Sequence, residues 1–368
     1  MKEIKSILQF FKDGQSTGEQ CALAQVVRVE GSSYRREGAR MIVFESGIFE
    51  GGISGGCLEG DALKRSQLAI LKQEPSIITY DTSKEMEIGI GLGCNGIIDV
   101  LLTPVTTDSE NIKTLEKCIS QRRTHIIVTI TASNLKDEAL KLGQSFYYDT
   151  DQKRLEGMAT SEIKNFVLEK IGHVLELNKS KSYAYNEKEN LLDFHIELIP
   201  AQYHLAIYGD NYDVYPLIQF AGLLDWEISL VGNIQKLKKE HLTPVKNIYP
   251  KHLPERPKID KRTAVILMAH DFKTDIENLK SILISAAPYI ASLGPKKRFE
   301  KIKNKFEEEG NPLSEQNLFR IHAPCGLEIG ADSPEEIALS ICSEIMSSFT
   351  GKEGGMLRKK MHPIHDRF

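Results

Sequence analysis

This chain has no apolar run of about 18 residues, the length a membrane-spanning helix needs, so no membrane span is expected. It has no C-x-x-C pair, which argues against a zinc ribbon or a thioredoxin-like redox motif. It also lacks an excess of positive charge. The 47 Lys and Arg against 51 Asp and Glu leave a net charge of −4, which gives no reason to expect nucleic acid as a partner. The opening residues, Met1-Lys2-Glu3-Ile4-Lys5, mix charges where a secretion signal would need an apolar core and a small-residue cleavage site. The expected location is therefore the cytoplasm. In that reducing compartment the six cysteines, at positions 21, 57, 94, 118, 325 and 342, are expected to be mostly thiols.

What is present is ordinary globular material, with 41% hydrophobic and 27% charged residues. At 368 residues the length suggests two domains, given roughly 100–200 residues for each. The most unusual stretch is Gly51-Gly52-Ile53-Ser54-Gly55-Gly56-Cys57-Leu58-Glu59-Gly60. Glycine permits positive φ and close approach to the main chain. Successive N–H groups in such a turn can form an anion-binding concavity, and a thiol beside it could ionise. A ligand site and a glycine-rich turn with a buried structural cysteine are both open on these residues alone. A second loop, Gly89-Ile90-Gly91-Leu92-Gly93-Cys94-Asn95-Gly96, repeats the glycine-cysteine pairing. Cys21, Cys118 and Cys342 lie in apolar or helical patterns and read as packing residues.

Hydrophobic periodicity divides the chain. A helix is expected over about residues 3–18, with strands over Cys21–Glu30, Ala39–Phe44, Ile77–Tyr80 and Ile97–Leu102. Asp61–Gln73 reads as a helix with Leu63, Leu68 and Leu71 on its apolar side. Ile126–Ile130, Ser145–Asp149 and Leu192–Leu198 read as strands, and the lysine-rich Lys179–Asn190 as a surface loop. After Pro200 the texture changes to short apolar runs at Leu205–Tyr208, Glu227–Val231, Ala264–Met268 and Tyr289–Leu293, separated by helical spacing. That alternation implies βαβ units and a parallel, doubly wound sheet. Ser333-Pro334-Glu335-Glu336 carries the residues of a capping box.

The first turn of this second half is where a dinucleotide fingerprint, G-x-G-x-x-G/A, would stand. The chain reads Gly209-Asp210-Asn211-Tyr212-Asp213-Val214 and keeps only the first glycine. The second strand ends Val231-Gly232-Asn233, with no acid to hold a ribose hydroxyl. A Rossmann-like sheet is expected, and NAD(P) is not. His270, Asp271 and Asp275 lie at the carboxyl end of a strand, and a metal site, an acid/base pair or a solvated helix N-terminus all remain open there. Lys296-Lys297-Arg298 could meet an anion or form a basic surface turn.

Several segments in order resemble the XdhC/CoxI family, accessory factors of xanthine dehydrogenase and related molybdenum hydroxylases. They are Val26–Arg35, similar to V-x-x-x-G-S-[ST]-P-R, then Gly38-Ala39-Arg40-Met41 and Ser54-Gly55-Gly56-Cys57-Leu58-Glu59. Gly93-Cys94-Asn95-Gly96 follows, then Met268-Ala269-His270-Asp271, Ser292-Leu293-Gly294 and Gly326–Ala331. The resemblance covers both halves and is thin between about residues 105 and 200. It implies an α/β protein with an N-terminal mixed α+β domain bearing the cysteine loops (1–200), a C-terminal Rossmann-like doubly wound parallel sheet (201–350) and a tail (351–368).

The resemblance also implies a chaperone that binds molybdenum cofactor and assists its sulfuration or insertion into an apo, xanthine dehydrogenase-like hydroxylase. A cysteine desulfurase is a candidate second partner. Ser54, Gly55, Gly56, Cys57, Glu59, Gly93, Cys94, Asn95 and Arg35 are then the cofactor-binding candidates, with Cys57 and Cys94 near the metal, since thiolate suits soft metals. Glu59 would orient or hydrogen-bond the cofactor, backbone N–H groups of the loops would meet its phosphate, and Arg35 or Arg36 would add a bidentate contact. A homodimer is expected if the loops need a second wall. The sequence departs from the family at Tyr34 (usually proline), Asn95 (glycine), Cys325 (isoleucine) and the rewritten dinucleotide turn. Two other functions stay in view: an NAD(P)-dependent oxidoreductase, from the βαβ texture, and a thiol-dependent enzyme with Cys57 as nucleophile.

Overall fold

A computed structural model describes residues 1–81, 96–159, 162–187 and 189–361. The chain forms two compact units, Met1–Ala201 and Gln202–Phe368.

The first unit contains two antiparallel five-stranded sheets. Helix α1 (Lys2–Gln15) leads into β1 (Cys21–Gly31), β2 (Arg40–Phe44) and β3 (Phe49–Gly51). Helix α2 (Glu59–Lys72), β4 (Ser76–Asp81) and β5 (Gly96–Val105) complete the first sheet, in the order β3-β2-β1-β5-β4. After α3 (Glu110–Ser120) come β6 (His125–Ser133), β7 (Ser145–Asp149), β8 (Arg154–Leu155), α4 (Glu162–Leu177), β9 (Lys181–Glu187) and β10 (Asn190–Ile199). They build the second sheet in the order β8-β7-β6-β10-β9.

Alternation along β1 and β2 sorts side chains to the two faces of the first sheet. Ala24, Val26, Met41 and Val43 pack with α2, while Cys21, Leu23, Ile42 and Phe44 pack with α1 and α3. This second cluster also takes Ile127, Tyr147 and Ile199 from the second sheet, whose other face is covered by α4 through Val167, Ile171 and Val174. Cys21, Cys118 and Cys342 are buried, as the packing assignment expected, and burial pushes each thiol up to about 12.

Two expectations fail here for physical reasons. Helix α2 turns its small residues, Ala62, Ser66 and Ala69, together with Ile70, toward β1 and β5, so that helix and sheet approach closely. Leu68 and Leu71, assigned to the apolar side, are 48% and 81% exposed. The polar segment read as a surface loop over Lys179–Asn190 contains β9, an edge strand with both faces largely in solvent. Only Tyr183 and Tyr185, two residues apart, pack on the core and betray the strand.

One buried ion pair ties the two sheets. Arg40 of β2 is 2% exposed, and its guanidinium grips Glu197 of β10 through both ends. The Nη1 of Arg40 donates to Glu197 Oε1 at 2.9 Å and to the Gly38 carbonyl at 2.6 Å. Gln25 on β1 adds a bond from Nε2 to Glu197 Oε2 at 3.2 Å. Gly38 sits at φ +89°, and a Cβ there would lie 2.5 Å from Glu197 Oε1. The glycine of the Gly38-Ala39-Arg40-Met41 segment is therefore required both by its backbone angle and by the carboxylate beside it.

The second unit is a six-stranded, all-parallel sheet: β11 (His204–Tyr208), β12 (Glu227–Gly232), β13 (Asn247–Pro250), β14 (Thr263–Leu267), β15 (Tyr289–Ser292) and β16 (Ile321–His322). Its order, β13-β12-β11-β14-β15-β16, is the 3-2-1-4-5-6 arrangement of the Rossmann fold. Leu205 and Ile207 face α5 (Val214–Leu223) and α9 (Pro334–Thr350), which follows the short α8 (Glu315–Arg320). Ala206 and Tyr208 face α6 (Phe272–Leu283) and α7 (Lys296–Glu308). The sheet is thus covered on both sides, as the βαβ texture implied. The Ser333 capping box on α9 is formed in both directions. No helix among the described residues is long and apolar enough to cross a membrane.

Removing one partner of a buried ion pair strands the other charge. Glu197→Gln is therefore expected to destabilise the first unit by about 3–5 kcal/mol in urea denaturation. The double substitution Arg40→Met with Glu197→Leu should recover most of that loss.

Candidate functional site

The Gly51–Gly60 segment connects β3 to α2. Its start is fixed by the first sheet: Gly52 N donates to the Arg40 carbonyl at 2.8 Å. Gly51 has φ +90°, and a Cβ there would meet the same carbonyl oxygen at 2.4 Å. The loop then folds around its own acid. Glu59 Oε1 accepts from Ile53 N at 3.2 Å and Ser54 N at 2.8 Å, and Glu59 Oε2 accepts from the Ser54 hydroxyl. Ser54 Oγ in turn accepts from Gly56 N at 3.2 Å and Leu58 N at 3.1 Å, and the Cys57 thiol donates to it at 3.6 Å.

The loop does form the expected concavity of main-chain donors, but the anion inside it is the carboxylate of Glu59. Glu59 also begins α2, where the helix N-terminus favours negative charge. Burial by itself would raise the Glu59 pKa. The hydrogen bonds from Ser54, from its hydroxyl and its N–H, and from Ile53 outweigh burial and hold the carboxyl below its ordinary 4.5. Four backbone donors of this loop, those of Ile53, Ser54, Gly56 and Leu58, are thus engaged with Glu59 and Ser54.

An open pocket of about 700 Å³ lies along the loop, bounded by Arg35, Phe49, Gly52, Ser54, Gly56 and Glu59. Its remaining wall comes from Lys2, Glu3 and Ser6 of α1, with Glu50 of β3. Arg35 pairs with Glu3, whose other oxygen accepts from Arg40 N at 3.0 Å. Ser6 Oγ donates to Glu50. The contribution of α1 was missed in the sequence, although Lys2, Glu3 and Ser6 fall on one polar side of an amphipathic helix. Tyr34, 72% exposed, lays its ring 3.2 Å from where a Cβ on Gly55 would stand. That position replaces the family's proline and places an aromatic ring against Gly55.

Of the candidates, Ser54, Gly55, Gly56, Cys57, Glu59 and Arg35 fall in this neighbourhood. Cys57 is half-buried beside Ser54 and packs on the apolar cluster under the loop. Gly93, Cys94 and Asn95 lie outside the described residues. Among the described residues there is no group of three or more His, Cys, Asp or Glu side chains able to hold a metal ion.

In the second unit His270, Asp271 and Asp275 do not converge. Asp271 caps α6, accepting from Thr274 N at 2.7 Å. Asp275 is buried and pairs with Arg298 at 2.7 Å, and the Lys296-Lys297-Arg298 segment read as a basic turn is the first turn of α7, with Lys296 and Lys297 exposed. His270 Nε2 meets Asp213 Oδ2 at 2.6 Å. In the rewritten turn Asp210 accepts from Asn233 N at 2.9 Å and from Lys236 Nζ at 3.2 Å. A carboxylate therefore bridges the ends of β11 and β12.

Two family models match the chain. Residues 15–81 match the XdhC and CoxI family, and residues 205–345 match the XdhC Rossmann domain. The chain belongs to the XdhC and CoxI family. The first match contains Arg35 and the Ser54–Glu59 loop, and the second contains the parallel sheet. A Bacillus subtilis (strain 168) protein, described as a probable subunit of xanthine dehydrogenase, matches this XdhC and CoxI family chain across both units. It is 25% identical over 341 residues, which are 90% of this chain and 93% of that protein. The uncharacterized protein YqeB of Escherichia coli (strain K12) is 30% identical over 89 residues, 24% of this chain and 16% of its own length. A crystal structure described as a xanthine dehydrogenase from Bacillus halodurans aligns with a TM-score of 0.69 at 26% identity. That alignment covers 96% of this chain and 98% of the other.

The Glu59 arrangement predicts a pH signature. A folded-state pKa below the ordinary 4.5 means the stabilisation is present above that value and is lost as pH falls through the folded pKa. Glu59→Gln should remove about 1–3 kcal/mol at pH 7, as expected for charge-assisted bonds. The gap between native and variant stability should close in acid-unfolding curves run below pH 4.5.

Proposed function

We propose that this protein is an accessory factor for a xanthine dehydrogenase-like molybdenum hydroxylase, and that it binds molybdenum cofactor in the pocket beside the Gly51–Gly60 loop. The observation that carries the reading is the pocket itself, set on the family's glycine-cysteine segment, with the half-buried Cys57 thiol behind its wall and bonded to the lining Ser54. Support for the client comes from the family and from two full-length relatives whose descriptions name xanthine dehydrogenase.

The donor set suits the cofactor's chemistry. A pterin presents N–H donors, which the carboxylates of Glu3 and Glu50 can accept, and an anionic tail, which suits Arg35. A volume of about 700 Å³ lies within the range of cofactor pockets. When bound, the cofactor would supply the molybdenum centre that the hydroxylase later uses. The residues of this chain hold and present it. Arg35 exchanges its partner Glu3 for the anionic tail. Glu59 keeps the loop in shape through Ile53 and Ser54 while standing in the pocket wall. Cys57, held beside Ser54, offers a soft ligand, and Cys94 is the second thiol of the proposal. Sulfuration of the centre, with a cysteine desulfurase as sulfur source, and a homodimer that supplies a second wall belong to the same reading. NAD(P) has no part in it, because Asp210 and Asp213 stand in the turn where a pyrophosphate would lie.

The test is to purify the protein anaerobically from a host that synthesises molybdenum cofactor, and to measure molybdenum and pterin fluorescence per chain. The native protein should retain both. Cys57→Ala should retain markedly less, and Arg35→Ala should lower retention about tenfold, as loss of a charge-assisted contact predicts. Equal retention by the native chain, Cys57→Ala and the Cys57/Cys94 double alanine variant would refute the assigned site.

A further inference from the structure

A second cavity, of about 370 Å³, lies wholly within the parallel-sheet unit. It opens at the carboxyl ends of β11, β14 and β15, where doubly wound sheets receive their ligands. Its floor is apolar, made by Leu217 of α5, Met268, Leu293, and Ile337, Ala338 and Ile341 of α9. Its polar side chains are few: Tyr212 and Asp213 at the start of α5, His270 after β14, and Asp332 before α9. A largely apolar cavity with a small number of placed polar groups is the usual form of a small-molecule site.

Two observations set this cavity apart from a packing defect. Asp213 uses only one oxygen: Oδ2 meets His270 Nε2 at 2.6 Å, while the buried Oδ1 has no hydrogen-bond partner among the described residues. A buried acceptor left open carries a desolvation cost that a ligand donor would relieve. His270 is also one of the few non-glycine residues at positive φ, +56°, a conformation that side chains adopt at a cost and that clusters at ligand sites. The strained backbone brings the imidazole to Asp213 and so fixes the direction of the carboxylate.

Charge then decides the ligand class. Asp213 and Asp332 border the cavity, and Asp210 lies in the same turn as Asp213, bonded to Asn233 N. Asp213 is the N-cap residue of α5, the place where a dinucleotide-binding turn would present its helix to a pyrophosphate. A phosphate there would face carboxylates. We infer that this cavity binds an uncharged or cationic aminated heteroaromatic ring without phosphate, which donates an N–H to Asp213 Oδ1 and lays its face on the apolar floor. The site is independent of the pocket beside Cys57 and does not rest on the function proposed for it.

The experiment is a saturation-transfer NMR titration of the full chain with three probes: adenosine, AMP and NAD⁺. Adenosine should bind saturably, and AMP should bind about tenfold more weakly or worse, because its phosphate meets like charge. Asp213→Ala should weaken adenosine by at least about tenfold, the worth of a hydrogen bond to a charged acceptor. Ile337→Trp, which fills the floor from its half-buried edge, should abolish the signal, with thermal melting to show that each variant is folded. No saturation by adenosine up to about 5 mM, where binding would be worth only about 3 kcal/mol, overturns the inference. So does AMP or NAD⁺ binding as well as adenosine, or undiminished adenosine binding by either folded variant.

Discussion

The grip of Arg40 on Glu197 is the interaction on which the first unit depends. It joins β2 of one sheet to β10 of the other, with both side chains buried. A buried pair contributes little net stability compared with apolar packing, yet it tolerates only one geometry. That geometry reaches the loop through the main chain. The carbonyl of Arg40 receives Gly52 N, and its own N–H donates to Glu3 on α1. Glu3 in turn pairs with Arg35. The same arginine therefore aligns the two sheets, the first helix and both walls of the pocket.

The second unit reaches its chemistry by a different route. Its sheet is assembled from apolar parallel strands, and its strand order rests on their packing. The polar residues collect where the strands end. There the turn that elsewhere receives a pyrophosphate is occupied by Asp210, on Asn233 N, and Asp213, on His270. Gly209 remains because its Cβ would strike the Met268 carbonyl at 2.6 Å, a requirement of packing rather than of nucleotide binding. The one glycine present and the two absent thus fit together: the sheet geometry keeps Gly209, while carboxylates occupy the turn.

Much of this was legible from local pattern. The four strongest strands of the second unit stand out as short apolar runs, and Ser333 with Glu336 marks a helix start by spacing alone. The features that escaped share a physical cause. Periodicity records which side of an element is buried, not what it meets. Strand β9 is an edge exposed on both faces, so its alternation is reduced to Tyr183 and Tyr185. Helix α2 buries alanine and serine, which carry little hydrophobic signal, and leaves Leu68 and Leu71 in water. Within the loop, Glu59 could be singled out from the sequence, but its role could not. Only the fold shows that its carboxylate turns back onto Ile53 and Ser54. Arg40 and Glu197, 157 positions apart, left no mark in either local pattern.

The glycine-rich loop also has a mechanical character that its composition conceals. Glycine usually brings looseness, because it loses more conformational freedom than other residues on ordering. Here Gly52 N is pinned to a strand carbonyl, Ser54 gathers three donors, and Glu59 closes the turn. The entropic cost of shaping the loop is met during folding, so an incoming molecule finds a ready mould and spends little of its binding energy on ordering the chain. Any adjustment to an occupant would fall on side chains at the rim, such as the Arg35–Glu3 pair, and leave the loop's own hydrogen bonds in place. Rigidity of this kind moves the demand for adaptation from the main chain of the loop to the side chains around it.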